Sequence, residues 1–288
     1  MMREDVETGE IERRLRRWEK IRRVLYIVLL AGIIIPLVRP IGIPITIWEQ
    51  TRIAYDIAEA LPENSMVMFD FQMDVMGYPE SRPAVRAWMR QTISNKHRIA
   101  IICSGTDGPI LAEIELNSLI PEDWIYGEDY VHLGFLPGGE VGISSFIADI
   151  WGTVKRDYYG NPVEDLPIMK DLKNLDSIDL LFANRGVMWI HQASPIRKDT
   201  KIIVSHRYMV VTGDIAYQKA GLIDGFVDGV RMGSEYELLI GRPGIGVATM
   251  DAMSIACLIA FVGTLIANVQ FYSEKYGIID KIRGKKVK

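Results

Sequence analysis

The chain has 288 residues, of which 49% are hydrophobic, so it has room for one sizeable domain and more apolar sequence than a soluble domain needs. Its net charge is −4, and residues 24–246 carry 19 Lys or Arg against 28 Asp or Glu. This acidic balance disfavours nucleic acid as a partner, because phosphate binding needs a basic surface.

The first predicted element is an apolar helix over residues 24–38, VLYIVLLAGIIIPLV, which follows a basic leader over residues 1–23. Together with the apolar stretch that continues it, this segment is long enough to span a bilayer. A secretory signal peptide is the alternative. The leader is long and charged, however, and no small-residue cleavage site follows Val38. We therefore expect an uncleaved transmembrane helix.

A linker and an amphipathic helix are predicted over residues 39–64. The motif RPIGIP ends the first helix, since proline and glycine interrupt helical structure. The helix that follows places a set of apolar residues on one face: Trp48, Ile53, Ile57 and Leu61. We expect this helix to couple the membrane segment to the domain that follows.

An extracytoplasmic α/β domain is predicted over residues 65–246. Short apolar runs alternate there with helical stretches, and the runs are SMVMFDF, RIAIICSG, YVHLGFL, SIDLLFANRG and TKIIVSH. Continuous apolar strands separated by helices are typical of a parallel sheet covered on both faces. The predicted fold is an open, mostly parallel α/β sheet of the Rossmann or flavodoxin-like kind.

Candidate ligand-binding residues follow from this fold, because such sheets bind ligands at the carboxyl ends of their strands. The residues at the ends of the first four strands are Asp70, Asp74, Ser104, Thr106, Asp107, Gly138, Gly139, Glu140, Asn184 and Arg185. The aspartates could hold a hard cation if their loops converge. Solvated turns and helix N-caps explain the same aspartates without an ion, and this second interpretation is favoured.

Motifs for catalysis or cofactor binding are weak. LPGGEVG could cradle an anion, but it is neither G-x-G-x-x-G nor a Walker A motif, and a tight turn before a helix explains it. CSGTDGP lacks a nucleophile elbow, and the four histidines are scattered. Cys103 is expected to be a core thiol, and no metal-type cysteine spacing occurs. No catalytic residue, metal ligand or cofactor is therefore predicted.

Glycine recurs at every fourth position in GLIDGFVDGVRMG, at Gly221, Gly225, Gly229 and Gly233. An interior helical glycine costs roughly 1 kcal/mol relative to alanine, so this glycine series predicts a helix groove that another backbone approaches closely. Packing within the domain is the favoured role. A partial strand with turns in the same stretch is the alternative to a helix.

A second transmembrane helix is predicted over residues 247–272, followed by a basic tail over residues 273–288. One face of this helix carries an alanine stripe, which consists of Ala248, Ala252, Ala256 and Ala260 and is continued by Thr264 and Asn268. Small residues allow helices to associate closely in lipid. The first span offers only Gly32 as an obvious small residue, so a neighbouring copy is the favoured partner.

Charge bias predicts the orientation in the cell membrane. Residues 1–23 hold eight Lys or Arg and the residues after Tyr272 hold six. Under the positive-inside rule both termini are expected in the cytoplasm, with the main domain outside.

Five stretches of the chain also carry a resemblance: RPIGIPITI, LPENSMVMFDF, YGEDYVHLGFLPGGEVGISSFIADI, DYYGNPVEDLPIMKDLKNLDSIDLL and GLIDGFVDGVRMGSEYELL. Together they resemble an uncharacterised family of prokaryotic membrane-anchored proteins with an α/β, Rossmann-like domain between terminal transmembrane helices. The resemblance covers most of the chain from about residue 39 to residue 239. The family has no assigned reaction, so the resemblance implies an architecture and no catalytic residue.

Three functions remain as expectations. The first is a non-enzymatic structural subunit of a homo-oligomeric or multi-protein membrane assembly. The second is an extracytoplasmic module that binds a small solute and signals through the amphipathic helix. The third is a metal-assisted hydrolase that uses Asp70 or Asp107 with a cation.

Overall fold

The computed structural model describes residues 2–275. Most of the predicted basic tail, residues 276–288, lies outside the described residues. The chain divides into two units. One spans Pro44–Val247, and the other combines the two terminal segments of the chain.

The unit Pro44–Val247 is built around one parallel sheet of six strands in the order β3-β2-β1-β4-β5-β6. This confirms the predicted α/β fold class, and the order is that of a Rossmann sheet. The strands are β1 (Met66–Phe71), β2 (Arg98–Cys103), β3 (Tyr130–Phe135), β4 (Leu180–Asn184), β5 (Lys201–Ser205) and β6 (Gly225–Phe226). All residues of β1 and β4 are buried, as expected for strands covered on both faces.

Helices cover both faces of the sheet. The helices of this unit are α2 (Glu49–Glu59), α3 (Tyr78–Ser94), α4 (Gly108–Leu119), α5 (Gly139–Ala148), α6 (Ile150–Thr153), α7 (Val187–Ala193), α8 (Val211–Lys219) and α9 (Gly229–Leu239). Helix α3 packs against α9 and α4, and α2 packs against α9 and β6. Helix α5 packs against α7. The segment between α6 and β4 contains three short 3-10 turns, at Val163–Asp165, Pro167–Lys170 and Leu175–Ser177.

Aromatic residues fill the core beneath these helices. The Trp88 ring of α3 stacks on the Phe182 ring of β4, with ring centroids 4.3 Å apart. Phe182 also contacts Phe69 of β1, at a centroid distance of 5.1 Å. Trp189 of α7 meets Phe146 of α5 edge to face, at 6.2 Å. Side chains alternate along a strand, so Asn184 faces the same side of the sheet as Phe182, towards α3.

The prediction of a single helix through the glycine series is wrong. Gly221 lies in a turn with φ of 73°, Gly225 lies in β6, and Gly229 begins α9 with φ of 58°. Only Gly233 lies inside a helix, where α9 meets α3. The alternative of a strand with turns is the structure observed. A spacing of four is compatible with a helix but also arises from a turn, a strand and a helix start in succession.

The buried face of the amphipathic helix also differs from the prediction. Helix α2 buries Thr51, Ala54 and Ala58, whereas Ile53 and Ile57 are only partly buried. Small residues face inward because α2 lies close to β6. A Cβ on Gly225 would lie 3.1 Å from the Ala54 Cα. The larger apolar side chains flank this contact.

The two predicted apolar helices are α1 (Met2–Val38) and α10 (Ile245–Lys275), and the terminal unit contains them except for the first three residues of α10. Within them Glu19–Val38 and Ile245–Ser273 are long and apolar enough to cross a membrane, with mean hydropathies of 2.2 and 2.1. These two helices fit a two-span membrane protein.

The two helices contact each other, although sequence analysis favours a neighbouring copy as the partner of the second span. A Cβ on Gly32 would lie 2.8 Å from Ile255 Cγ2 and 3.0 Å from Ile259 Cδ1. A Cβ on Gly263 would likewise lie 3.3 Å from Leu25 Cδ1. Gly32, the small residue noted in the first span, therefore permits a close approach of α1 to α10.

Candidate functional site

The order of strands reverses between β1 and β4, and this switch point is where ligands bind in open α/β sheets. Phe71 at the end of β1 pairs with Asn184 at the end of β4. Asn184 in turn pairs with Ser205 at the end of β5. The residues that directly follow β1, β4 and β5 therefore lie along the same edge of the sheet.

Asp74 and Arg185 form an ion pair at this edge. Asp74 Oδ2 lies 2.6 Å from Arg185 Nη1, and Asp74 Oδ1 accepts a hydrogen bond of 2.5 Å from the Gly77 backbone N–H. The Gly77 N–H, together with Arg185, holds the pKa of Asp74 below its ordinary value. The carboxylate of Asp74 thus lies at the N-terminus of α3, where an anion is favoured.

A second guanidinium group lies at the same place. A Cβ on Gly77 would lie 3.0 Å from Arg185 Nη2 and 3.4 Å from Arg207 Nη2. Arg207 is exposed, and Arg185 is partly exposed with its backbone in the left-handed region, at φ of 53°. Its backbone is held there by a hydrogen bond of 2.7 Å from Arg185 N–H to the Ser205 carbonyl oxygen.

Two buried polar side chains at the switch point have no hydrogen-bond partner within residues 2–275. Asn184 is 1% exposed, and neither its Oδ1 nor its Nδ2 makes a hydrogen bond within the described residues. Ser205 is fully buried and its Oγ is equally without a partner there. A buried polar group left unpaired costs about 1–3 kcal/mol, so such groups mark places where a ligand or water supplies the partner. We call Asp74, Gly77, Asn184, Arg185, Ser205 and Arg207 the switch-point site.

Asp70 lies on the face of the sheet opposite to Asn184, and its carboxylate is hydrogen-bonded to other residues of the protein. Its carboxylate accepts hydrogen bonds from Ser104 N–H at 2.8 Å, Ser104 Oγ at 2.6 Å and Trp189 Nε1 at 2.6 Å. Burial raises the pKa of Asp70 to about 6, although these donors favour the ionised form. Asp70 and Ser104 are therefore brought together, as partners of each other.

The remaining predicted residues are spread along the edge. Asp107 Oδ2 accepts a hydrogen bond of 3.1 Å from Val75 N–H, so the loops after β1 and β2 do meet, and Thr106 is exposed. Asp70, Asp74 and Asp107 are the suggested ligands of one cation. In the structure each of the three carboxylates accepts a hydrogen bond from a different backbone N–H group.

Gly138, Gly139 and Glu140 lie after the edge strand β3. Gly138 and Gly139 have φ of 94° and 54°, which glycine adopts without strain, and they lead into α5. Glu140 Oε1 lies 3.1 Å from His191 Nδ1 on α7, and both side chains are about half exposed. These residues form a turn beside α7, two strands away from β1.

A buried cluster of His206, Asp214 and Asp228 follows β5 and β6, and sequence analysis missed it. One possible metal-ligating atom from each residue lies within 4.8 Å of the others. His206 Nδ1 lies 2.7 Å from Asp214 Oδ2, and His206 N–H donates to Asp228 Oδ1 at 2.8 Å. Burial and the neighbouring Asp214 carboxylate raise the pKa of Asp228.

The signal for this cluster was present in the sequence. His206 directly follows the predicted fifth strand, and the strand-end rule selects it as readily as it selects Asn184. The candidate residues predicted from the sequence come from the ends of the first four strands only, so His206 is not among them. Asp228 was hidden because β6 has only two residues and lies within the glycine series.

Comparison with known proteins gives no identity. No protein family, curated protein or solved structure matches this chain. The resemblance carried by the five stretches therefore stays a prediction, and the site is interpreted from its own geometry.

Proposed function

We propose that the chain is a membrane-anchored module that binds a small anionic solute at the switch-point site. The observation that carries this proposal is Asn184, whose two buried polar side-chain atoms have no partner within the described residues at the point where strand order reverses. The predicted orientation, with both termini in the cytoplasm, would place this site outside the cell. A binding module in that position suits the second function expected from the sequence.

Charge at the site favours an anion. Arg185 and Arg207 both lie beside Gly77, and the first turn of α3 adds the positive end of a helix dipole. Arginine presents several donors in a planar fork that matches carboxylate and phosphate oxygens. The acidic balance of the whole domain makes this local pair of cations distinctive.

Asp74 acts in this proposal as an internal competitor for the anion. Its carboxylate already accepts from the Gly77 N–H and pairs with Arg185, as oxygens of a bound anion would. A ligand must displace this carboxylate or share Arg185 with it. Removing the negative charge at Asp74 should therefore strengthen anion binding, whereas removing either guanidinium should weaken it.

We expect phosphate or succinate to raise the thermal unfolding temperature of the full-length protein in detergent, because a ligand that binds only the folded state stabilises it. Arg185→Gln and Arg207→Gln should each weaken the apparent affinity by about 10- to 100-fold, since a hydrogen bond to a charged group contributes about 1.5–3 kcal/mol. Asp74→Asn should increase the affinity. Differential scanning fluorimetry at matched ionic strength measures these changes.

Arg156→Gln is the matched control, since Arg156 bonds to the Gly160 carbonyl oxygen in the segment after α6, away from β4 and β5. This variant should bind like the wild type, and a neutral sugar should give no shift in any variant. If neither the wild type nor Asp74→Asn responds to phosphate or succinate, the proposal is refuted.

A second candidate is the membrane assembly expected from the alanine stripe. Contact with α1 runs along Ile255, Ile259 and Gly263, which leaves part of the stripe uncovered: Ala260, Thr264 and Asn268 are exposed. Small exposed residues on a membrane helix favour close packing with another helix. A second copy of the chain is the proposed neighbour.

For this assembly we expect Ala260→Leu combined with Thr264→Leu to reduce the particle mass of the detergent-extracted protein, because added bulk prevents close helix contact. Val269→Phe, which adds bulk at another exposed position of α10, is the control and should leave the mass unchanged. Mass photometry gives the readout. A wild-type particle of one chain, or an unchanged mass in the double variant, contradicts the assembly.

A further inference from the structure

The cluster of His206, Asp214 and Asp228 joins three elements. His206 follows β5, Asp214 lies in α8 and Asp228 precedes α9. The three residues are 6%, 1% and 0% exposed. Their candidate ligand atoms lie within 4.8 Å of one another, so one ion could contact all three after small side-chain adjustments.

His206 is the one basic side chain that pairs with the acids of this cluster in the described part of the chain, with its Nδ1 2.7 Å from Asp214 Oδ2. Asp214 and Asp228 are both buried acids, and neither forms an ion pair with Lys or Arg in the described part of the chain. A further acid lies close by: Glu80 Oε1 accepts a hydrogen bond of 3.1 Å from Tyr208 N–H and would lie 3.3 Å from a Cβ on Gly229. Buried carboxylates are normally paired or bound to a metal, because an isolated buried charge is costly.

An independent observation points to a missing partner. Asp228 Oδ2 accepts no hydrogen bond from any described group, although the residue is fully buried. The other oxygen of the same carboxylate is used by the His206 backbone N–H. His206 Nε2 is likewise without a partner among the described residues.

We propose that His206, Asp214 and Asp228 bind one divalent transition-metal ion, with zinc as the best fit. One imidazole nitrogen and two carboxylate oxygens form a mixed nitrogen and oxygen set, which suits zinc better than calcium or magnesium. Ligands to zinc lie about 2.0–2.2 Å from the metal. The three candidate atoms, which lie within 4.8 Å of one another, would therefore move slightly closer together when they bind one ion. Burial of all three residues indicates a closed site that stabilises the fold.

The ion would connect the carboxyl ends of β5 and β6 to α8. Arg207 directly follows His206, so the ion would also fix the backbone that carries one guanidinium of the switch-point site. None of the three metal ligands belongs to the switch-point site, so metal binding and anion binding can be measured separately.

The test uses the full-length protein in detergent, stripped with a chelator and then reloaded with zinc alone. We expect about one equivalent of tightly bound zinc per chain, a rise in unfolding temperature on reloading, and a visible absorption spectrum when cobalt replaces zinc. Asp228→Asn keeps the shape of the side chain and an acceptor for the His206 N–H. It should weaken zinc binding by about 100-fold or more.

His97→Gln is the matched control. His97 is a buried histidine without hydrogen bonds from its ring nitrogens among the described residues, and it precedes β2 at the opposite end of the strands. This variant should keep the full zinc equivalent. The proposal is overturned if the wild type takes up no stoichiometric zinc, or if folded Asp228→Asn and His206→Gln proteins bind zinc as tightly as the wild type.

Discussion

Gly233→Ala should destabilise the protein by about 1–3 kcal/mol, even though alanine is the better helix former. A Cβ at this position would lie 2.8 Å from Pro83 Cβ and 2.9 Å from the Ala84 backbone nitrogen. These atoms belong to α3, the helix that packs against α9, so the backbone of one helix must move. Chemical denaturation of the full-length protein in detergent measures the free energy of unfolding.

Gly213→Ala is the matched control for this prediction. Gly213 lies in α8, is exposed, and has no heavy atom within 4 Å of the position of an added Cβ. The same substitution should leave stability unchanged or increase it by up to about 1 kcal/mol. Equal effects at the two positions would show that the contact between α9 and α3 does not require glycine.

Glu237→Ala should lower the free energy of unfolding by about 3 kcal/mol or more. The buried Glu237 carboxylate accepts hydrogen bonds from the backbone N–H groups of Gly244 at 2.9 Å, Gly246 at 3.1 Å and Val247 at 2.9 Å. Burial raises the pKa of Glu237, and these three donors oppose the rise by favouring the ionised form. Alanine leaves three donors at the start of α10 without their partner, at about 1–3 kcal/mol for each buried one.

Two further variants test the cause of this loss. Glu237→Gln keeps one acceptor oxygen and should lie between the wild type and Glu237→Ala in unfolding free energy. Glu122→Ala removes an exposed glutamate in the loop after α4 and should change stability by less than about 0.5 kcal/mol. A small effect of Glu237→Ala would mean that water satisfies these N–H groups.

The sequence predicts five of the six strands because their apolar runs have few other stable structures. β6 is not predicted, because its two residues, Gly225 and Phe226, are too few to form a recognisable apolar run. The glycine series misleads for a related reason: spacing alone does not distinguish a groove in one helix from a turn, a short strand and a helix start. The buried face of α2 is fixed by the close approach of β6, which no local pattern reveals.

The candidate site could be predicted in part. The strand-end rule identifies Asp74, Asn184 and Arg185, since it needs only the ends of strands. It does not reveal that Arg207 reaches the same helix terminus, because this depends on the side-by-side register of β4 and β5. The meeting of Asp214 with Asp228 likewise depends on how α8 and β6 pack.

The strand order also constrains the synthesis of the protein. β1 lies at the centre of the sheet, and one of its two neighbours is β4. Val67 of β1 pairs with Leu180 of β4, so this edge of β1 stays unpaired until residue 180 has been synthesised. A nascent chain that has not reached β4 therefore exposes an apolar central strand with unpaired backbone groups, the kind of edge that promotes aggregation. The first apolar helix precedes β1 in the chain, so it leaves the ribosome before the sheet can close. We expect the chain to be most prone to aggregation after the first apolar helix has been made and before β4 pairs with β1.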